Sequence, residues 1–184
     1  IVITEPGEEF KFNKDFEENG WHPIIATDLK QAEIEVSKYL NGGTADNILV
    51  EAHGGQINYP DGTKSSGMRY GQGTDKITGI ELTKFKNNEK TNIDKSQIEA
   101  LVSITKQCKS LNLLVCNINY DNTDSFGISL SSLAPGVNIT LSADKVGIKD
   151  ADGNNLDDKH TRRLFDSKTT YNGMINKPLG VDKY

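Results

Sequence analysis

Short apolar runs alternate with capped amphipathic helices over most of this chain, and that alternation constrains its fold more than any other feature. The runs are Ile1 to Thr4, Pro23 to Thr27, residues 47–53, residues 111–116 and Val137 to Ser142. Each is short, apolar and bounded by turn residues, as buried strands are. Between them lie helix signals. Asp28 is an N-cap with Gln31 at the capping-box position, and Leu29, Ala32, Val36, Tyr39 and Leu40 form the expected buried face. Asn41-Gly42-Gly43 stops that helix. Thr78 with Glu81 opens a second, with Leu82 and Phe85 facing inward. Asp94 with Gln97 opens a third, whose inner face reads Ile98, Leu101, Val102, Thr105 and Cys108. Thr123 caps a fourth that carries Phe126, Leu130 and Leu133 and ends at Pro135-Gly136. A further helix is expected over part of Glu8 to Asn19. This order predicts an α/β fold with a mainly parallel central sheet and helices on both faces.

The pattern changes after residue 145. Turn signals at Asp152-Gly153 and Asn172-Gly173 predict hairpins or loops along one edge. We therefore expect a single domain over 1–184, with an α/β core over 1–150 and a hairpin or loop extension over 151–184. Residues 54–76 read as a long polar excursion with a Pro60-Asp61-Gly62 turn. Long loops in compact domains tend to carry function, and this one follows His53 directly.

Composition narrows the class. The chain has 184 residues, 26% charged and 35% hydrophobic, which suits one globular domain with a core. A net charge of −5 argues against a general nucleic-acid binder. No apolar run approaches the roughly 20 residues of a membrane-spanning helix, so no membrane partner is expected. No signal peptide is visible. Because the chain opens directly on Ile1-Val2-Ile3, we expect either a trimmed sequence or a domain excised from a larger protein. The histidines His22, His53 and His160 are scattered, and two cysteines are too few for a zinc site or a disulfide framework. No metal and no cofactor is expected.

Two residues stand out by position. Asn47-Ile-Leu-Val-Glu-Ala-His53 and Leu111-Asn-Leu-Leu-Val-Cys116 each deliver a reactive side chain to the C-terminal end of an apolar run. In open α/β sheets, chemistry gathers beyond the carboxyl ends of parallel strands. An imidazole and a thiol at one such edge are a base and a nucleophile. Core packing is the plainer explanation for a buried-strand cysteine, but polar Asn117 places Cys116 at the rim. A helix start near Thr123 would favour its thiolate. Cys108, on a helical apolar face, is expected to pack in the core. Gly54-Gly55 after His53 permits a sharp turn, with backbone N–H groups directed into a site. His22 and His160 are expected at the surface.

Other motifs are missing. There is no Gly-x-Ser-x-Gly elbow to pair with the His53-Gly54-Gly55 string, no phosphate-binding loop, and no strand-to-helix fingerprint at Gly71-Gln72-Gly73.

An apolar strand ending in His53-Gly54, followed by a later apolar strand ending in Cys116, resembles the caspase-like (clan CD) cysteine peptidases of bacterial type. The segment from Ser125 to Val137 resembles the helix, turn and strand that follow the nucleophile in those proteins. The likeness spans roughly residues 1–150. It implies a caspase-like three-layer sandwich, with His53 as the dyad histidine and Cys116 as the nucleophile. It also implies an oxyanion hole formed by the backbone N–H groups of Gly54 and Cys116.

The expected activity is cysteine endopeptidase hydrolysis through a thioester, on a peptide or protein substrate. Ser142, at the end of the strand 137–142, and Asp144, just beyond it, are the candidate substrate-binding residues. A carboxylate at 144 would favour Lys or Arg at P1; the competing role for Asp144 is to cap a turn. Two rival functions use the same fold: an inactive binding module, and a thiol amidohydrolase or acyltransferase with the same dyad.

Overall fold

Residues 1–7, 20–72, 75–115, 118, 125–142, 168–172 and 177–182 are described by the computed structural model of the chain. The strands are β1 (Val2–Thr4), β2 (Pro23–Ile25), β3 (Ala45–Asn58), β4 (Lys64–Arg69), β5 (Ile77–Thr78), β6 (Cys108–Val115), β7 (Asn138–Ser142), β8 (Lys168–Asn172) and β9 (Lys177–Asp182). The helices are α1 (Leu29–Leu40), α2 (Gly79–Lys86), α3 (Lys95–Lys106) and α4 (Ser125–Leu133). The main sheet runs β2-β1-β3-β6-β7-β8-β9. Its first five strands are parallel, while β8 and β9 run antiparallel. The expected α/β class and the mainly parallel sheet are present, and β8 and β9 add antiparallel strands beside β7 in the region where the sequence predicts hairpins or loops. The helix expected within 8–19, the cap at Thr123 and the turn at Asp152-Gly153 lie outside the described residues.

The core follows from the strand sequences. Ile48 and Val50 of β3, Leu111, Leu113 and Val115 of β6, and Ile139 and Leu141 of β7 are buried side by side. Helices pack in two pairs, α1 against α3 and α2 against α4. Leu29, Ala32 and Val36 of α1 enter the core with Ile98, Leu101, Val102, Ile104 and Thr105 of α3. Tyr39 departs from expectation. It is 53% exposed, and its ring stacks on His22 at 3.7 Å instead of entering the core.

The helix starts satisfy their free N–H groups locally. The Asp28 carboxylate accepts from the Gln31 N–H at 2.9 Å. Gln31 Oε1 accepts in return from the N–H and the hydroxyl of Thr27, one residue earlier than a capping box requires. Thr78 Oγ1 accepts from the Glu81 N–H at 3.2 Å. Glu81 does not close its box either. It is buried, and its carboxylate accepts from the backbone and side chain of Asn92, which fixes the α2–α3 connection. Asp94 caps α3 through Ser96. α1 ends on Asn41 in the left-handed region, with φ 44°.

Two expectations are corrected. Cys108 is the first residue of β6, not the last turn of α3. The helical period carries past Lys106 because Thr105 and Cys108 are spaced three apart, but the chain leaves the helix at Gln107. The excursion 54–76 is largely ordered: β3 continues through His53 to Asn58 and folds back as β4, with β5 pairing on β4. The Pro60-Asp61-Gly62 signal does mark the turn of this hairpin, where Asp61 accepts from the Thr63 N–H at 2.9 Å.

Candidate active site

The two strands that carry the expected dyad are neighbours. β3 and β6 pair in parallel, and the register runs from Ala45 opposite Cys108 to Ala52 opposite Val115. His53 and Cys116 are the next residues along the chain. His53 is exposed. Cys116 lies outside the described residues, as does Asp144. Ser142 is the last residue of β7, which pairs with β6 through Leu113 and Leu141, so the end of β7 reaches the same sheet edge.

His53 marks a change of partner. Up to Ala52, β3 belongs to the parallel sheet; from His53 onward it pairs antiparallel with β4, with His53 opposite Arg69 and Gly54 opposite Met68. The glycines at 54 and 55 therefore continue the strand and do not turn it sharply. A side chain at 55 would come within 3.1 Å of the Lys76 ammonium. Gly67, opposite Gly55, lies against the Ile77 carbonyl, where a Cβ would collide.

The hairpin is anchored over the neighbouring strands. The sheet order reverses at β1, with β2 on one side and β3 on the other. In open α/β folds such a switch point opens a crevice. Here Tyr70 is buried at that point, and its hydroxyl lies 2.7 Å from the Thr4 carbonyl and 3.0 Å from the Ala26 carbonyl. Burial, with Glu5 adding negative charge, pushes the Tyr70 phenol well above its usual range. The phenol is thus a fixed neutral donor. Tyr70 occupies the β1–β2 side of the edge and draws β4 to that side of β3. Across the edge the order is β4, β3, β6, with His53 between Arg69 and the end of β6.

Cys108 is removed from this edge. It lies at the opposite end of β6, seven paired positions from Val115, or about 23 Å at strand rise. It is 3% exposed, its thiol contacts the Thr105 carbonyl at 3.3 Å, and burial pushes its pKa up to about 12. The core role expected for it is the one it has.

An open groove of about 480 Å³ between β2 and α1, lined by His22, Ile25, Lys38 and Tyr39, borders the far margin of the sheet and contains none of the expected site residues. Among the described residues no group of three His, Cys, Asp or Glu side chains converges as a metal site, and no helix is long and apolar enough to cross a membrane.

Arg69 and Lys76 escaped the sequence reading. Their signal was the turn itself: folding the chain about Asp61 sets His53 against Arg69. No protein-family model matches the chain, and no curated protein or solved structure matches it either.

Proposed function

We propose that this chain is a cysteine endopeptidase of caspase-like type, with Cys116 as nucleophile and His53 as its acid–base partner. The observation that carries this reading is the parallel β3–β6 register, in which Ala52 faces Val115. Each of the two reactive residues follows one member of that pair by a single peptide bond. The exposure of His53 leaves its imidazole open to substrate.

The reaction follows from the chemistry of the pair. The Cys116 thiolate attacks the scissile carbonyl carbon, and backbone N–H groups at Gly54 and Cys116 stabilise the oxyanion. The C–N bond breaks as the His53 imidazolium gives its proton to the leaving amine, and a thioester remains. Water then adds to the thioester carbonyl while His53 takes its proton. The C–S bond breaks, the carboxylic acid leaves, and the thiolate–imidazolium pair is restored. In this reading Ser142 and Asp144 serve the acyl side of the substrate, and a carboxylate at 144 favours Lys or Arg at P1.

Hydrolysis of fluorogenic peptides that vary at P1 tests this. Turnover is expected with basic P1 residues, abolished in Cys116→Ala and lowered at least about 10²-fold in His53→Ala. Turnover retained in Cys116→Ala would overturn the proposal.

A further inference from the structure

The β3–β4–β5 ladder places three cationic or ionisable side chains in one row. His53 is opposite Arg69. β4 and β5 pair Gly67 with Thr78 and Met68 with Ile77, so the next step of that register sets Arg69 opposite Lys76. Residues directly opposite in a ladder share a face, as do residues two apart on a strand. His53, Gly55 and Arg69 thus share one face. The Lys76 ammonium lies over Gly55 on that same face, 3.1 Å from where a side chain would begin.

This row is costly as it stands. Like charges directly opposite repel. Arg69 is half-buried, and its Nε is buried without a hydrogen-bond partner. Lys76 is half-buried too, and neither cation has an ion pair among the described residues. Lys38, Lys84, Lys95 and Lys109 do have carboxylate partners. Glu51, two residues before His53 on this face, is engaged in contacts of its own. A chain of net charge −5 with acidic groups to spare leaves these two half-buried cations unmatched beside its candidate catalytic histidine.

We propose that Arg69 and Lys76 form a carboxylate-recognition site that reads an acidic side chain of the substrate on the leaving-group side of the scissile bond. The inference rests on the peptidase reading. His53 must face the leaving amine to protonate it, and Cys116 the acyl carbon. Because β4 lies on the side of β3 away from β6, a substrate that continues past His53 meets Arg69 and then Lys76. Arg69 supplies a planar fork of donors for a carboxylate, and Lys76 a point charge beside it.

The test compares fluorogenic peptides that share one P1 residue and carry Asp, Glu, Asn or Lys at P1′ and P2′. The wild-type chain is expected to cleave the best acidic peptide with a kcat/KM at least about tenfold above its amide counterpart. That ratio should shrink as salt is raised. Arg69→Gln and Lys76→Gln are each expected to lower the ratio, and the double variant to bring it to about one. Arg69→Glu should invert it towards the Lys peptide. Cleavage indifferent to these charges, or a ratio unchanged in the double variant, overturns this inference and leaves the dyad standing. Absence of cleavage of every peptide, together with an unreactive Cys116 thiol, overturns the peptidase reading and this inference with it.

Discussion

Ala52 and Val115 are register partners in adjacent parallel strands, and the residue after each is the one that bears reactive chemistry. Parallel pairing fixes more than proximity. It puts Ala52 and Val115 at the carboxyl end of the β3–β6 pairing, the edge where backbone donors and loops gather in α/β folds, although β3 itself runs on to Asn58. At the other end of the same strand pair, Cys108 faces Ala45 and is buried. One strand therefore holds one thiol at its beginning and leads into a second at its end.

That contrast sets the first prediction. At pH 7.5, iodoacetamide is expected to alkylate Cys116 at least about 10²-fold faster than Cys108, since only a thiolate reacts and burial holds the Cys108 pKa at about 12. Peptide mapping by mass spectrometry reads both sites. Equal rates at the two thiols would contradict it.

Alkaline stability gives the second. Cys108 rises from 9.0 to about 12 on folding, and Tyr70 is raised above its ordinary 10.0. In both, the folded chain holds a proton that the unfolded chain releases. The stability they confer is complete below pH 9 and is lost as pH rises above that, with a slope of up to about 1.4 kcal/mol per pH unit for each group. The urea midpoint should fall steadily from pH 9 to pH 11, and fall less in Cys108→Ala and in Tyr70→Phe relative to their own values at pH 7. A flat midpoint across this range would refute the burial of both groups.

The hairpin yields a third. A methyl group at Gly67 would collide with the Ile77 carbonyl and come within 2.9 Å of Thr78 Cγ2. Gly62 has open space around it and only its φ of +85° to defend. Gly67→Ala is expected to cost about 1–3 kcal/mol, and Gly62→Ala about 1 kcal/mol. Urea denaturation would order the two. A Gly67→Ala variant as stable as wild type would mean that β5 does not lie against β4 as described.

The local signals in the sequence were legible because their causes are local. Asp28, Thr78 and Asp94 cap helices through N–H groups two or three residues away. The parallel sheet was legible because buried strands need apolar runs on both faces. The β3–β4 hairpin was not. Gly54, Gly55, Ser65, Ser66 and Gly67 supply no apolar alternation, and their strand conformation comes from pairing alone. Arg69 and Lys76 gain meaning only through that pairing. Tyr39 has the spacing of a core residue, yet stacking on His22 keeps it at the surface.

Covalent trapping tests the dyad most directly. The chain would be incubated with peptidyl acyloxymethyl ketones carrying Lys, Arg, Asp, Leu or Ala at P1, and the adduct located by tandem mass spectrometry. A His53–Cys116 dyad puts a single adduct on Cys116, fastest with Lys or Arg at P1, and slowed at least about 10²-fold in His53→Ala. No adduct on Cys116 with any of the five, or labelling equally fast in His53→Ala, would contradict it.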